Sequence, residues 1–331
     1  MNNKTAVILG ANGRFGLAAA QAFAAAGWRV LAQVRREPDP AMPASAIVLR
    51  ADYHDTEGLL QVVRTQAGGA AVLVHGLNPE YNNAAWRREA LPMLHAGIRL
   101  AQGLDALMIF PGSVYNFGET MPPVLREDTP INPSTEKGEM RCRMETELEQ
   151  AAGRGLRSVV IRAGDFYGAG GGSWFDQVIV KGLAKGKLAY PGSRRLVHAW
   201  AYLPDLGRTC VAVAEQRAQL PAFSALHFPG NNITGDELLD GLEGAAENLG
   251  ITGGKPLKRE GFSWPLVRVA GVVMPMFRSL VEMSYLWRVP HALDGARLEK
   301  LIGTVPSTPL PQALRASLEV MGFGAVQRKS A

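Results

Sequence analysis

The stretch "TAVILGANGRFGLAAAQAFAAAG", Thr5 to Gly27, decides the fold. "TAVIL" reads as a buried strand, and the Ala-rich run after Arg14 reads as a helix. Between them stand Gly10, Gly13 and Gly16, with Asn12, Arg14 and Phe15 in the same loop. A strand–glycine loop–helix unit supplies a tight turn, a backbone that can approach a pyrophosphate, and close helix–sheet packing. The helix N-terminus adds free N–H groups and a positive dipole end for phosphate. This is the pattern of a dinucleotide-binding unit.

The pattern continues outward. "WRVLAQVRR", "AIVLRADY", "AAVLVHGL", "ALMIFPGS" and "LRSVVIRAGDFYG" read as further strands, separated by helical runs. One of these, "NNAAWRREALPMLHAGIRLAQG", carries Pro92, expected in an early turn or at a kink. Apolar strands alternating with helices predict an α/β, Rossmann-type doubly wound parallel sheet. After Tyr167 the texture changes to a Gly-rich loop, and from Gly230 to short helices and Pro-rich connections. The expected plan is a nucleotide-binding domain of residues 1–167 and 198–229, with a smaller substrate lobe of residues 168–197 and 230–331.

Composition narrows the class. The chain has 331 residues, 47% of them hydrophobic and 20% charged, with a formal net charge of +5. The basic residues are dispersed, so the excess suits an anionic small molecule and gives no case for nucleic acid. Cys142 and Cys210 are the two cysteines, without CxxC or metal-ligand spacing, which fits a reducing, cytoplasmic setting. "MNNKTAVILGANG" leaves no room for a signal-peptide core. The late apolar segment "WPLVRVAGVVMPMFRSLVEMSYLW" is interrupted by Arg268, Arg278 and Glu282, short of the ~18 uncharged residues a membrane span requires. It is expected as a packed helix pair rather than a membrane-surface element. It is also a candidate to close the substrate pocket or to pair two copies as a homodimer.

The end of the second strand selects the cofactor. An acidic residue there would accept from a ribose 2′-OH, whereas guanidinium groups match a 2′-phosphate. Arg35 and Arg36 occupy that place after Gln33, and Arg14 is positioned to assist, so NADP is expected ahead of NAD. Asp52 and Tyr53 follow the third strand, where a carboxylate can accept from an adenine amino group. His75 and Gly76 end the fourth, where backbone can pass along the cofactor; the His75 side chain reads as a loop or core histidine ahead of a catalytic base.

"GANGRFG", Asp52, "FPGSVYNFG", "VVIRAGDFYG" and "HAWAYLPDL" together resemble the extended and atypical short-chain dehydrogenase/reductase superfamily, of the NAD-dependent epimerase/dehydratase kind. The resemblance implies an active site in the cleft between the Rossmann domain and the substrate lobe. It also implies a Ser after strand five that polarises the substrate oxygen, and a Tyr-x-x-x-Lys on the next helix that transfers the proton. Ser113 stands at the Ser position. Counted back from Glu145, Lys137 and Arg141 stand where the Tyr and Lys belong, and no tyrosine of the chain has Lys four residues on. The segment is also similar to the helix of the isoflavone-reductase-like branch, in which a Lys leads and serves as acid–base group. Lys137 is therefore the expected proton donor, with Arg141, burial and an oxidised nicotinamide lowering its pKa. Tyr115 is a second candidate, and Arg162 and Asp165 are expected near the nicotinamide end. Trp174, Phe175, Trp200 and Tyr202, with Arg194 and Arg195, are candidates to line the substrate cleft.

These readings lead to an NADP-dependent reductase acting on a carbonyl or conjugated small molecule. The alternatives are a non-catalytic NADP-binding redox sensor, and an epimerase or dehydratase acting on a nucleotide sugar with bound NAD.

Overall fold

The computed structural model describes residues 4–169 and 171–324. Strand β1 (Thr5–Leu9) is buried along its whole length. Its side chains divide between two cores, Ala6 and Ile8 on one face, Val7 and Leu9 on the other. A strand covered on both faces needs apolar groups at consecutive positions, which explains the absence of polar alternation. Strands β2 (Arg29–Val34), β3 (Ile47–Arg50), β4 (Val72–His75), β5 (Leu107–Ser113), β6 (Arg157–Ala163) and β7 (Phe223–His227) complete a seven-stranded sheet. Its order is β7-β6-β5-β4-β1-β2-β3, with every neighbouring pair parallel. Strand order reverses between β1 and β4, the place where α/β sheets open a crevice for ligands.

Helix α1 (Arg14–Ala25) covers one face, and α2 (Thr56–Ala67), α3 (Asn83–Leu104) and α4 (Glu136–Ala152) cover the other. Helix α5 (Leu203–Glu215) returns to pack beside α1. The small side chains of α1 serve this crossing: a Cβ on Gly207 would lie 2.7 Å from the Ala18 carbonyl oxygen. Side-chain caps start several helices, Asp55 for α2, Asn82 for α3 and Thr135 for α4. Pro92 lies in the middle of α3 rather than in an early turn.

The sixth strand of the sequence reading divides in two. β6 ends at Ala163, and Asp165–Tyr167 leaves the main sheet to pair with Val197–Tyr202, which in turn pairs with Asn231–Thr234. Gly164 permits the crossing, since a Cβ there would sit 2.0 Å from the Ala199 carbonyl oxygen. A further apolar core forms between this smaller sheet and helices α6 (Gly235–Asn248) and α10 (Leu310–Val320), with Trp264 of α7 (Trp264–Val273) at its edge; α8 (Pro275–Glu282) follows α7, and α9 (Ala296–Ile302) packs onto the core on the α1 face of the main sheet. Phe175, Trp200 and Tyr202 are buried within the core of the smaller sheet and do not line an open cleft, while Trp174 packs at its margin against Trp264 and Trp287.

One buried ion pair sets the position of α4. The Arg162 guanidinium on β6 donates Nη2–H to Glu145 Oε2 at 2.7 Å, and both side chains are almost wholly buried. Arg162 Nη1 also lies 3.3 Å from His227 Nε2, whose ring reaches the Leu125 carbonyl through Nδ1 at 3.1 Å. Burial and the Arg162 charge together push His227 down to about 4, so the ring is neutral: Nδ1–H donates to Leu125, and Nε2 accepts from Arg162. Glu145→Ala would leave the guanidinium buried without its anion. The expected cost is about 3–5 kcal/mol of folding stability, read from denaturant unfolding of the variant beside the parent; a change within error would show that the pair does not hold α4.

Candidate cofactor and active site

The loop after β1 is shaped by contacts that exclude side chains. Gly10 has φ +66°, and a Cβ on it would approach the backbone of Gly76 to 2.9 Å. A Cβ on Gly16 would lie 2.3 Å from the Gly10 carbonyl oxygen, and one on Gly76 would lie 2.6 Å from that of Leu9. The N-cap of α1, Gly13, brings no side chain to the first amides, and the first turn contains no acid. Those N–H groups therefore face the crevice unspent, and the dipole adds positive potential. A cleft of about 250 Å³ opens there, bounded by Gly10, Gly13, Arg35, Arg36, Tyr53 and Gly76 among others. A bare backbone cradle at a helix N-terminus, with guanidinium groups at one end, fits a dinucleotide pyrophosphate.

Gln33 holds the cradle in register. It is fully buried at the end of β2, accepts from Gly10 N at 2.9 Å, and donates to the Ala51 carbonyl at 2.6 Å. Asn12 donates to the Glu37 carbonyl at 2.7 Å and accepts from Asp39 N at 3.0 Å, so its amide latches the loop after β2 where the residue lines the cleft. Arg35 and Arg36 are exposed at the rim. Asp52 accepts from His54 N at 2.9 Å within its own turn, while Tyr53 is buried and its ring contributes to the wall. His75 is buried beneath the cleft with Nε2 on the Met93 carbonyl at 3.0 Å, and burial pushes its pKa down to about 4. Its side chain is a core group, and its backbone alone lies along the crevice. Phe15 likewise turns into the core, 6.3 Å from the Phe166 ring, leaving its amide at the helix start.

Arg14 is half-buried in the glycine loop; burial lowers its pKa, and Asp176, Asp165 and Tyr115 at the inner end of the cleft oppose that shift.

That inner end gathers the remaining candidates. Ser113 is half-buried at the exit of β5, and its Oγ accepts from Tyr115 N at 3.4 Å. The Tyr115 hydroxyl is pushed up to about 12, first by burial and then by Asp165, while Tyr81, Arg141 and Arg14 act in the opposite direction. Arg141 lies 5.0 Å from the Trp86 ring and donates to the Pro111 carbonyl at 3.0 Å, next to the β5 exit. The Asp165 carboxylate accepts from or faces His198 Nε2 at 2.9 Å, and the His198 ring stacks on Trp287 at 4.4 Å and 14°.

Lys137 is placed differently from a free proton donor. Its side chain is 0% exposed. The ammonium donates to Asn83 Oδ1, stands 3.8 Å from Glu282 Oε2, and sits 4.9 Å from the Tyr81 ring centroid. Burial lowers its pKa, and Glu282 and Glu136 oppose that shift. Glu282 also accepts from Glu136 N at 2.6 Å, so α8 is fastened onto the start of α4.

Tyr81, Asn83, His198, Glu282 and Tyr285 were not singled out as site residues from sequence. For Glu282 a signal existed, a carboxylate inside an apolar run that must find a buried partner. The others carry no local mark: Asn83 is brought in by the packing of α3 and α8 against α4, and His198 by the strand Val197–Tyr202 that pairs beside Asp165.

The comparisons follow from this geometry. The model of the NAD dependent epimerase/dehydratase family matches residues 6–225. No curated protein matches the sequence. Among solved structures, the UDP-glucose 4-epimerase from Brucella ovis in complex with NAD superposes with a TM-score of 0.73 at 15% identity, covering 97% of this chain and 98% of its own. The UDP-glucose 4-epimerase from Stenotrophomonas maltophila with bound NAD and formylated UDP-arabinopyranose gives 0.74 at 13% identity, covering 99% of both chains. That from Thermotoga maritima with UDP-glucose gives 0.69 at 15%, covering 96% and 98%. At such identities the superpositions speak for the fold alone. The family model rests on the sequence itself: the chain belongs to the NAD dependent epimerase/dehydratase family, within the extended short-chain dehydrogenase/reductase superfamily.

Proposed function

We propose that the chain is an NADP-dependent oxidoreductase that acts on a carbonyl or alcohol group of a small molecule, with Tyr115 moving the proton and Ser113 orienting the reacting oxygen. The observation that carries this reading is the setting of the Tyr115 hydroxyl. It lies two residues past the β5 exit, under the influence of Arg14 from the glycine loop, Arg141 from α4 and Asp165. Burial, and after it Asp165, hold the hydroxyl protonated, so it is set to donate to an oxygen that receives hydride, and the two guanidinium groups would steady the phenolate left behind. NADP, when bound, supplies or accepts the hydride. The amides of the first turn of α1 would hold its pyrophosphate, with Tyr53 beside the adenosine end and Arg35 and Arg36 on the 2′-phosphate.

Lys137 takes a different part here from the one its position in the helix suggested. Its ammonium is already engaged by Asn83 and Glu282, with no exposed atom. A donor must reach the reacting oxygen directly or through one water, so Lys137 acts as a fixed buried charge beside Tyr81 rather than as the donor. A second reading, interconversion of a nucleotide sugar on tightly held NAD, draws on solved neighbours whose sites hold NAD or UDP-sugars. NAD retained through purification, with no preference for NADP, would favour it.

Two measurements test the first reading. Replacing Arg35 and Arg36 by Ala is expected to weaken NADPH binding about tenfold or more, as for lost hydrogen bonds to a charged group, and to leave NADH binding unchanged. Equal loss for both cofactors in fluorescence titration would remove the 2′-phosphate assignment. Tyr115→Phe is expected to lower NADPH-dependent carbonyl reduction about 10²–10⁴-fold with cofactor affinity intact. Full activity in that variant would return the proton to another group. Cofactor binding by the parent with no turnover across a carbonyl panel would point to a redox sensor instead.

A further inference from the structure

The helix pair α7–α8 packs against itself and leaves its outer surface bare. Gly271 allows the close return, with its Cβ position 3.2 Å from Arg278 N. Among the described residues, six of the ten large hydrophobic side chains that stand exposed fall between Leu266 and Met276. Exposure peaks at the bend, 75% for Val272 and 83% for Val273, and stays near half at Met274 and Met276. Contiguous exposed apolar surface of this kind marks an interaction site. The six apolar side chains lie outside the cavity of about 430 Å³ that Trp264 and Arg268 line together with Pro191, Gly192 and Trp287.

The charges around the tip choose among partners. From Gly261 to Val281 the sequence holds Arg268 and Arg278 and no Asp or Glu. Both arginines are exposed. The bracketing acids are already occupied, Glu260 by Lys187 and Lys258, and Glu282 by Asn83 and the Glu136 amide beside Lys137. Pairing two copies through this tip would set the arginines of one against those of the other, with no carboxylate in the patch to answer them. An anionic lipid surface takes both features at once, apolar side chains into the acyl boundary and guanidinium groups onto phosphates. No described helix is long and apolar enough to cross a membrane, so the tip would lie in the interface and not span it.

We propose that the α7–α8 hairpin docks this protein onto an anionic membrane surface, through Leu266, Val269, Val272, Val273, Met274 and Met276 with Arg268 and Arg278 at the rim. The proposal is independent of the reaction catalysed. The hairpin continues into Glu282, so the docking element and the buried Lys137 charge belong to one rigid connection.

Flotation of the full chain with vesicles tests it, using phosphatidylcholine alone and phosphatidylcholine mixed with phosphatidylglycerol. The protein is expected to float with the mixed vesicles, less so as salt rises, and weakly with phosphatidylcholine alone. The double substitution V272N/V273N, on exposed side chains, is expected to lower the bound fraction about tenfold with circular dichroism and melting temperature unchanged. R268Q/R278Q is expected to remove the preference for phosphatidylglycerol. Failure of the parent to float with anionic vesicles overturns the proposal, as does undiminished flotation of V272N/V273N. A parent dimer in light scattering that V272N/V273N converts to monomer would assign the patch to a second copy and overturn it equally.

Discussion

A lysine ammonium with no exposure to water cannot stand alone, and the meeting of α3, α4 and α8 follows from that constraint. Moving such a charge from water into a protein interior costs several kcal/mol unless partners replace the lost hydration. Lys137 finds them in Asn83 at the start of α3 and in Glu282 at the end of α8, with the Tyr81 ring beneath. The same carboxylate receives the Glu136 amide, and Ser279 donates to Asn83. The arrangement fastens α8 onto the start of α4, and it engages the Lys137 ammonium with protein partners on two other helices.

The cofactor end rests on a different kind of constraint, the exclusion of side chains. Gly10, Gly16 and Gly76 approach one another so closely that any Cβ would meet backbone. That closeness is what frees the first amides of α1 for an anion. Gln33 is the polar counterpart of these contacts, a buried amide among the apolar residues of β2 that ties the loop after β1 to the chain after β3. Burial of such an amide is tolerated because both its oxygen and its nitrogen are bonded. Beneath the cleft, His75 fits against Gly97, where a Cβ would come within 2.6 Å of its ring.

Much of this was legible in the residues themselves. Strand–helix alternation follows from local periodicity, and the parallel sheet from strands apolar at consecutive positions, so the order of elements from Thr5 to Ser113 could be read directly. The glycine spacing named the cofactor loop for the same local reason. Glu145 gave the count that located Lys137 and Arg141 on α4, and its partner Arg162 lies in a strand already recognised. Less could be read where one residue serves two neighbours at once. The break at Gly164 depends on how closely Ala199 approaches, and the enclosure of Lys137 depends on Asn83 and Glu282 arriving from other helices.

By itself, then, the sequence determined the class of fold, the place of the cofactor loop and the absence of a Tyr-x-x-x-Lys pair, since each depends on residues near one another along the chain. Tertiary structure alone decided what surrounds each candidate group. Tyr115 and Lys137 are separated by 22 residues and lie in adjoining elements, yet burial raises the pKa of the one's hydroxyl while the other's ammonium is closed in by Asn83 and Glu282. The outer face of α7–α8 was decided in the same way, because an apolar run shows in a sequence but its exposure among the described residues does not. Burial and charge pairing are sums over neighbours from distant parts of the chain, and folding assembles those neighbours.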